Sequence, residues 1–323
     1  MARIVITEFM DERAVAGLRT RHEVLYDPRL VDDAARLAQE AAACDAFIVR
    51  NRTQVRGELL KLLIGGKGAG RRCKVVGRLG VGLDNIDVAG CEAAGLPVIP
   101  ATGANALSVA EYVIGTAMLL LRGAYQSSGA VAAGQWPRTP LSNGREIAGK
   151  TLGLVGFGSI GQLTARLGRA VGMQVAAFDA MMDDDHPAFA AAGARCAGLE
   201  EVLTMSDVVS LHVPLVDSTR GLLNAERIAA MKKGAVLVNT ARGGIVDEPA
   251  LAAALKSGHL GGAAIDVFGT EPLPAAPHFE SCPNLVLTPH IAGVTAEANE
   301  RVSFMIADKV AEVLAAAAPA ATR

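Results

Sequence analysis

The chain alternates between two structural periods, and it does so twice. Short β-branched runs, "RIVITEF", "HEVLY", "DAFIVRN", "KVVGRLG" and "LPVIPA", are separated by helically spaced stretches such as "DERAVAGLRT" and "NIDVAGCEAAG". A second series runs through "TLGLV", "QVAAF", "DVVSLHV", "AVLVNT", "AAIDVF" and "NLVLT", with "NAERIAAMKKG" and "EPALAAALKSG" between several of them. Each helix must carry the chain back to the start of the next strand, so the strands run parallel with helices on both faces. A length of 323 residues suits about two such domains. The fold class predicted is α/β, as two doubly wound parallel-sheet (Rossmann/flavodoxin-like) domains.

Between the series the pattern predicts one long helix from Ala106 to about Ala133. Asn224 and Asp247 stand where helix N-caps belong, and Gly234 and Gly258 where helices stop. A final helix, about Ala296 to Ala315, has no strand of the second series left to pair with and is expected on the first domain. Gly65–Arg72, "GGKGAGRR", lacks the Ser or Thr that follows Gly-Lys in a phosphate loop and reads as a flexible helix-to-strand connection. The closing "AAAAPAATR" reads as frayed.

A formal net charge of −2 gives no electrostatic footprint for nucleic acid or an anionic membrane. Cysteines at 44, 73, 91, 196 and 282 form no C-x-x-C pair and no metal-ligand spacing. They read as reduced thiols, which together with "MARIVITEF", a start without a signal-peptide segment, predicts a cytoplasmic protein. The stretch "VAEYVIGTAMLLLRG" is shorter than the ~20 residues of a membrane span.

"TLGLVGFGSIGQLTARLGRAVG" holds Gly156, Gly158 and Gly161 in G-x-G-x-x-G spacing. The first glycine permits a tight turn, the second lets backbone approach a pyrophosphate, and the third lets the new helix pack on its strand. The helix N-terminus adds free N–H groups and a partial positive charge. The next strand, "QVAAF", ends in Asp179, the acid expected to accept from a ribose 2′-hydroxyl. No Arg or Lys follows in "DAMMDDDH" to receive a 2′-phosphate, so NAD is predicted rather than NADP.

Parallel sheets bind ligands beyond the carboxyl ends of their strands. Four strands of the second series end in unusual polar residues: His212 before Pro214, Arg242 after "AVLVNT", Glu271 after "AAIDVF", and His290 after "NLVLT". They supply a cation for a carboxylate and an imidazole that a carboxylate can hold.

The segments "VGFGSIG", "HVPL", "NTARGGIVDEPAL", "AAIDVF", "EPLP" and "LTPHIAG" together resemble the D-isomer-specific 2-hydroxyacid dehydrogenases. "GRLGVGLDNIDV", "GANALSVAEYVIG" and Trp136 to Arg138 agree, and the phosphoglycerate dehydrogenase branch is the most similar. The resemblance implies a discontinuous substrate domain, residues 1–100 plus 290–323, and an NAD domain, residues 101–289, with a cleft between them. It implies that Arg242 binds the substrate's carboxylate and keto oxygen, that His290 exchanges a proton with that oxygen, and that Glu271 orients His290. A nearby carboxylate favours the protonated imidazole. For the cofactor it implies Gly156, Gly158, Ser159, Ile160, Gly161, Asp179, His212, Val213, Pro214, Thr219, Thr240, Ala241, Asp266 and Ala292. For the substrate it implies Arg50, Asn51, Arg78, Val81, Gly82 and Asn105 beside Arg242 and His290. Asn51 departs from the small residue usual there. Ser108 and Glu111 either belong to a hinge-side motif or simply cap and solvate the long helix. A homodimer through that helix is a further implication, as is the lack of a C-terminal regulatory domain and hence of serine feedback through one.

The expected substrate is a small anionic 2-hydroxy or 2-keto acid. Arg50, Arg52, Arg78 and Arg138 suggest a second anionic group, 3-phosphoglycerate-like in the first instance. Sulfolactate would look alike to such a pocket, and hydroxypyruvate or glyoxylate would need fewer cations. A non-enzymatic alternative is an NADH-sensing corepressor, since some relatives with this fold keep the three residues in that role. Formate dehydrogenases share the architecture but carry Gln where Glu271 stands. Adenosylhomocysteine hydrolases are longer and lack the three residues.

Overall fold

The computed structural model describes residues 1–65 and 73–317, so the readings of the Gly65–Arg72 connection and of the last residues fall largely outside it. The chain divides into two compact units, Met1–Asn105 with Val294–Arg323, and Ala106–Gly293.

In the first unit β1 (Arg3–Ile6), β2 (Glu23–Tyr26), β3 (Ala46–Val49), β4 (Val75–Arg78) and β5 (Val98–Pro100) form one parallel sheet in the order β2-β1-β3-β4-β5. β3 is buried along its whole length, as an apolar run covered on both faces requires. The leftover helix, Ala296–Ala316, packs on β4, β5 and the helix Glu12–Arg19 of this unit. It comes close because β4 carries Gly77, where a Cβ would lie 2.7 Å from Ile306 Cγ2.

The second unit holds β6 (Thr151–Val155), β7 (Gln174–Phe178), β8 (Arg195–Cys196), β9 (Val208–Leu211), β10 (Val236–Asn239), β11 (Gly262–Ile265) and β12 (Leu285–Leu287). All are parallel, in the order β12-β11-β10-β9-β6-β7-β8. Strand order reverses beside β6, whose neighbours are β7 and β9, so the connections leaving β6 and β9 part to opposite faces and open a crevice at their carboxyl ends. Asn224 and Asp247 do cap their helices, accepting from the N–H groups of Arg227 and Ala250.

Two elements differ from the sequence reading: the two-residue strand β8, which no run announced, and the long helix. The helix from Ala106 ends at Arg122 rather than near Ala133. Gly123 turns left-handed (φ +66°), and a 3-10 turn and the short helix Ser128–Ala132 follow after a 69° bend. The break is stable because the last carbonyls find partners elsewhere: Leu120 O accepts from Asn284 Nδ2 at 2.9 Å and Leu121 O from Arg145 N at 2.9 Å. Among the described residues no single helix is long and apolar enough to cross a membrane.

Candidate active site

The glycine loop leaves β6 as a cradle. Gly156 has φ +96°, and a Cβ there would sit 2.6 Å from His212 O, so only glycine fits between β6 and β9. Gly161 gains the close helix approach, since its Cβ would lie 2.4 Å from Gly156 O. Gly158 is different: a Cβ there would meet nothing within 4 Å. It is the N-cap of the 12-residue helix that begins with Ser159 and Ile160, and no side chain caps that end. Open space in front of uncapped N–H groups is what a pyrophosphate requires. Asp179 follows β7 and turns its carboxylate toward the loop, accepting from Phe157 N at 2.7 Å and Met181 N at 2.9 Å. Its brace on the glycine turn was not visible in the sequence.

Beyond β9, His212 shares a hydrogen bond with Ser210 Oγ through Nε2 at 3.0 Å. Burial pushes its imidazole down to about 4, so the ring is neutral at physiological pH and cannot serve as an acid there. Val213 and Pro214 lead into a turn tied by Thr219, whose hydroxyl donates to Pro214 O at 2.6 Å. Beyond β10, Thr240 keeps a buried hydroxyl with no hydrogen-bond partner, an atom a bound cofactor would satisfy. The open cradle, the uncapped helix and this orphaned hydroxyl all fit a dinucleotide.

Asn239, 1% exposed at the end of β10, clamps the next turn. Its Oδ1 accepts from Ala241 N at 3.1 Å and its Nδ2 donates to Arg242 O at 3.0 Å. Arg242 Nη1 donates to Ala241 O at 2.7 Å. Gly243 then lies directly on the Phe268–Gly269 peptide, with space for no side chain. Phe268 also bears on the next residue of the site, because its own N–H, one peptide earlier, donates to Glu271 Oε1 at 2.9 Å. The other oxygen, Oε2, meets His290 Nδ1 at 2.7 Å. Arg242, Glu271 and His290 are thus fastened through neighbouring backbone.

His290 is held from behind by Asp266, a carboxylate 1% exposed. Asp266 accepts from Thr288 Oγ1 (2.6 Å), Ile291 N (2.8 Å) and Ala292 N (2.9 Å), while its backbone carbonyl accepts from His290 N (2.8 Å). His290 sits in the left-handed region at φ +55°. Asp266, read as a cofactor contact, therefore spends both oxygens on the turn that presents the imidazole.

The residues expected to touch substrate from the first unit stand at the carboxyl edge of its sheet. Glu8, 4% exposed and overlooked in the sequence, accepts from Arg50 N, Arg52 N and Thr53 N at 3.0 Å each. Arg50 reaches Asn299 Oδ1 at 2.6 Å and lies 5.8 Å from the Phe9 ring, and burial pulls its pKa below the usual guanidinium value. Asn51 is exposed, and Val81 and Gly82 are half-buried in the loop after β4. Arg78 donates from Nη1 to Leu79 O at 3.1 Å. Asn105 keeps a buried Oδ1 with no hydrogen-bond partner. Ser108 is buried on its helix, whereas Glu111 and, beyond the helix, Trp136 and Arg138 are exposed.

A family model described as D-isomer specific 2-hydroxyacid dehydrogenase, NAD binding domain, matches residues 114–292. The (S)-sulfolactate dehydrogenase of Chromohalobacter salexigens is 50% identical over 314 residues, 97% of this chain and 99% of that one. The D-3-phosphoglycerate dehydrogenase of Mycobacterium leprae is 38% identical, and the match spans 97% of this chain but only 57% of that protein. A crystal structure of a Thermus thermophilus protein superposes with a TM-score of 0.83 at 33% identity, covering 98% of each chain. With more than half of the chain matched by the family and a relative of 50% identity along nearly all of it, this protein belongs to the D-isomer-specific 2-hydroxyacid dehydrogenases, NAD-dependent oxidoreductases acting on the hydroxyl group of 2-hydroxy acids.

Proposed function

We propose that the protein interconverts (S)-sulfolactate and sulfopyruvate with NAD(H). The observation that carries this reading is the 50% identity, over almost the full length of both chains, to a sulfolactate dehydrogenase. Stereochemistry is consistent with it. Replacing the methyl of D-lactate by CH2SO3⁻ leaves the spatial arrangement unchanged but ranks that group above the carboxylate, so the D-arrangement acquires the label S.

In the proposed reaction NAD supplies the hydride acceptor. Arg242 binds the substrate carboxylate, where a guanidinium offers two aligned donors. His290 uses Nδ1 on Glu271, which leaves Nε2 for the substrate oxygen. The neutral ring takes the hydroxyl proton during oxidation, and the protonated ring returns it during reduction. Glu271 fixes the tautomer, and Asp266 fixes where the ring stands. Arg50, Arg52 and Arg78 supply positive charge for the distal anion.

The same arginines support a second reading, oxidation of 3-phosphoglycerate, in line with the relative from Mycobacterium leprae. Reduction of sulfopyruvate, 3-phosphohydroxypyruvate, hydroxypyruvate and glyoxylate by NADH separates the two. Sulfopyruvate should show the highest kcat/KM. A preference of tenfold or more for the phosphorylated acid would replace the first reading by the second. We also read the protein as a cytoplasmic homodimer, supported by five free cysteines and by exposed Tyr125, Val131 and Trp136 beyond the long helix. Sedimentation at a mass near that of one chain would refute the dimer.

A further inference from the structure

The turn that carries His290 is the last segment of the second unit, which ends at Gly293, so no later element of that unit follows to hold it. Asp266 fastens the turn, yet the three donors to its carboxylate, Thr288 Oγ1, Ile291 N and Ala292 N, all belong to the turn itself. One further bond leads out of this set. Tyr112, on the helix Ala106–Arg122, places its phenol oxygen 2.7 Å from Thr288 Oγ1. Thr288 has a single hydroxyl proton and gives it to Asp266 Oδ1 at 2.6 Å, so its oxygen can only accept from Tyr112. The direction is therefore fixed, from the Tyr112 hydroxyl to the Thr288 hydroxyl to Asp266. Burial pushes the Tyr112 phenol up against the pull of the Thr288 bond, and the nearby Asp266 charge adds to the rise, so Tyr112 keeps the proton it donates.

The helix is a firm base for this bond. Its Val113 and Ala117 are fully buried in one core with Val238 of β10 and Ala264 of β11. A hydroxyl that accepts one hydrogen bond becomes a stronger donor in the next, so Tyr112 both fixes the Thr288 rotamer and strengthens its bond to Asp266. We propose that Tyr112 is a positioning residue for His290: through Thr288 and Asp266 it ties the left-handed turn to the core helix and so sets where the imidazole stands. This rests on the reading of His290 as the group that exchanges the proton, and it adds the support on which that placement depends.

The test follows NADH oxidation with whichever of the four keto acids above is reduced fastest, in the unmodified enzyme, Tyr112→Phe, Thr288→Val, the double variant and His290→Asn. Tyr112→Phe keeps the ring and its packing, so the protein should still fold and bind NADH. Its kcat should fall about three- to tenfold, short of the roughly 10²-fold that a full 1 Å misplacement can cost, with KM for NADH unchanged. Amide hydrogen exchange at Ile291 and Ala292 should quicken while that of the helix stays slow. Thr288→Val removes the intermediate hydroxyl, so adding Tyr112→Phe to it should lower kcat no further. Full kcat in Tyr112→Phe, unchanged exchange at those two amides, or a further loss in the double variant would each overturn the role of Tyr112 while leaving His290 in place. A His290→Asn enzyme that still works at the full rate, or an unmodified enzyme that reduces none of the four acids, would instead overturn the reading of the site, and this inference with it.

Discussion

Gly243→Ala is the most direct test of how the active site is held. A Cβ at that position would lie 1.8 Å from Phe268 O, 1.9 Å from Phe268 C and 2.6 Å from Gly269 N, while ordinary contact begins at 3.4 Å. The obstructing atoms are backbone and cannot rotate away, so the peptide must retreat by roughly 1.5 Å. Phe268 moves with that peptide, and its N–H, one peptide back, is the group on Glu271 Oε1, while Glu271 Oε2 is the group on His290 Nδ1. A displacement of that size breaks the 2.7 Å contact to the imidazole. Misplacement of reacting groups by 1 Å can cost about 10²-fold in rate, so kcat should fall by at least about that factor. Overpacking should cost about 1–3 kcal/mol of stability, a loss from which the fold survives. Steady-state NADH oxidation with a 2-keto acid, NADH affinity by fluorescence and thermal unfolding read the three effects separately. Gly269→Ala is the control, because its Cβ would meet only Glu248 Oε1 at 3.7 Å. A Gly243→Ala enzyme with kcat within about threefold of the unmodified one would refute the coupling.

Gly158→Ala should leave thermal unfolding unchanged, since its Cβ meets nothing, yet weaken NADH binding by about tenfold or more by occupying the pyrophosphate's approach; equal affinity would dismiss the cradle. Asp266→Asn should place an amide NH2 against Ile291 or Ala292 N–H, at a cost of about 1–3 kcal/mol, and lower kcat far more than NADH affinity. Reduced stability with full kcat would make Asp266 merely structural. His212 has a folded pKa of about 4 against 6.5 for the free side chain, so the unfolded chain binds the proton more readily between those values. Stability conferred by the neutral ring is therefore present above pH 6.5 and lost as pH falls toward 4; His212→Gln should flatten that part of the unfolding profile, and an unchanged profile would contradict the burial.

The strands were legible where they are continuous β-branched runs, because a strand covered on both faces has to be apolar throughout. β8, only Arg195–Cys196, has no such run and gave no signal. The break at Gly123 was hidden for the opposite reason. "GAVAAG" past the true end has small residues that a helix accepts, and the partners that stop the helix, Asn284 and Arg145, are distant in sequence. Gly123 after Arg122 was a usable stop signal, outweighed by the apolar pattern around it.

At the candidate active site the residues assigned to the proposed chemistry could be picked out by type, since an Arg, a Glu and a His at strand ends have few structural reasons to be there. The groups that place them could not. Glu8 lies 42 residues from Arg50, and Asp266 lies 25 from Ile291, so neither contact leaves a local spacing to read. Each also acts on backbone N–H groups, which every residue but proline carries, so the partner's identity gives no clue. His290 shows what that placement achieves. A β-carbon in the left-handed region is unfavourable by roughly 1–2 kcal/mol, and no rule would assign that conformation to a histidine after proline. Four hydrogen bonds to Asp266 hold the turn there, and the only functional group they aim is the imidazole. The strain is therefore stored at the residue whose direction the proposed proton transfer depends on, which is where a fold can least allow the backbone to relax.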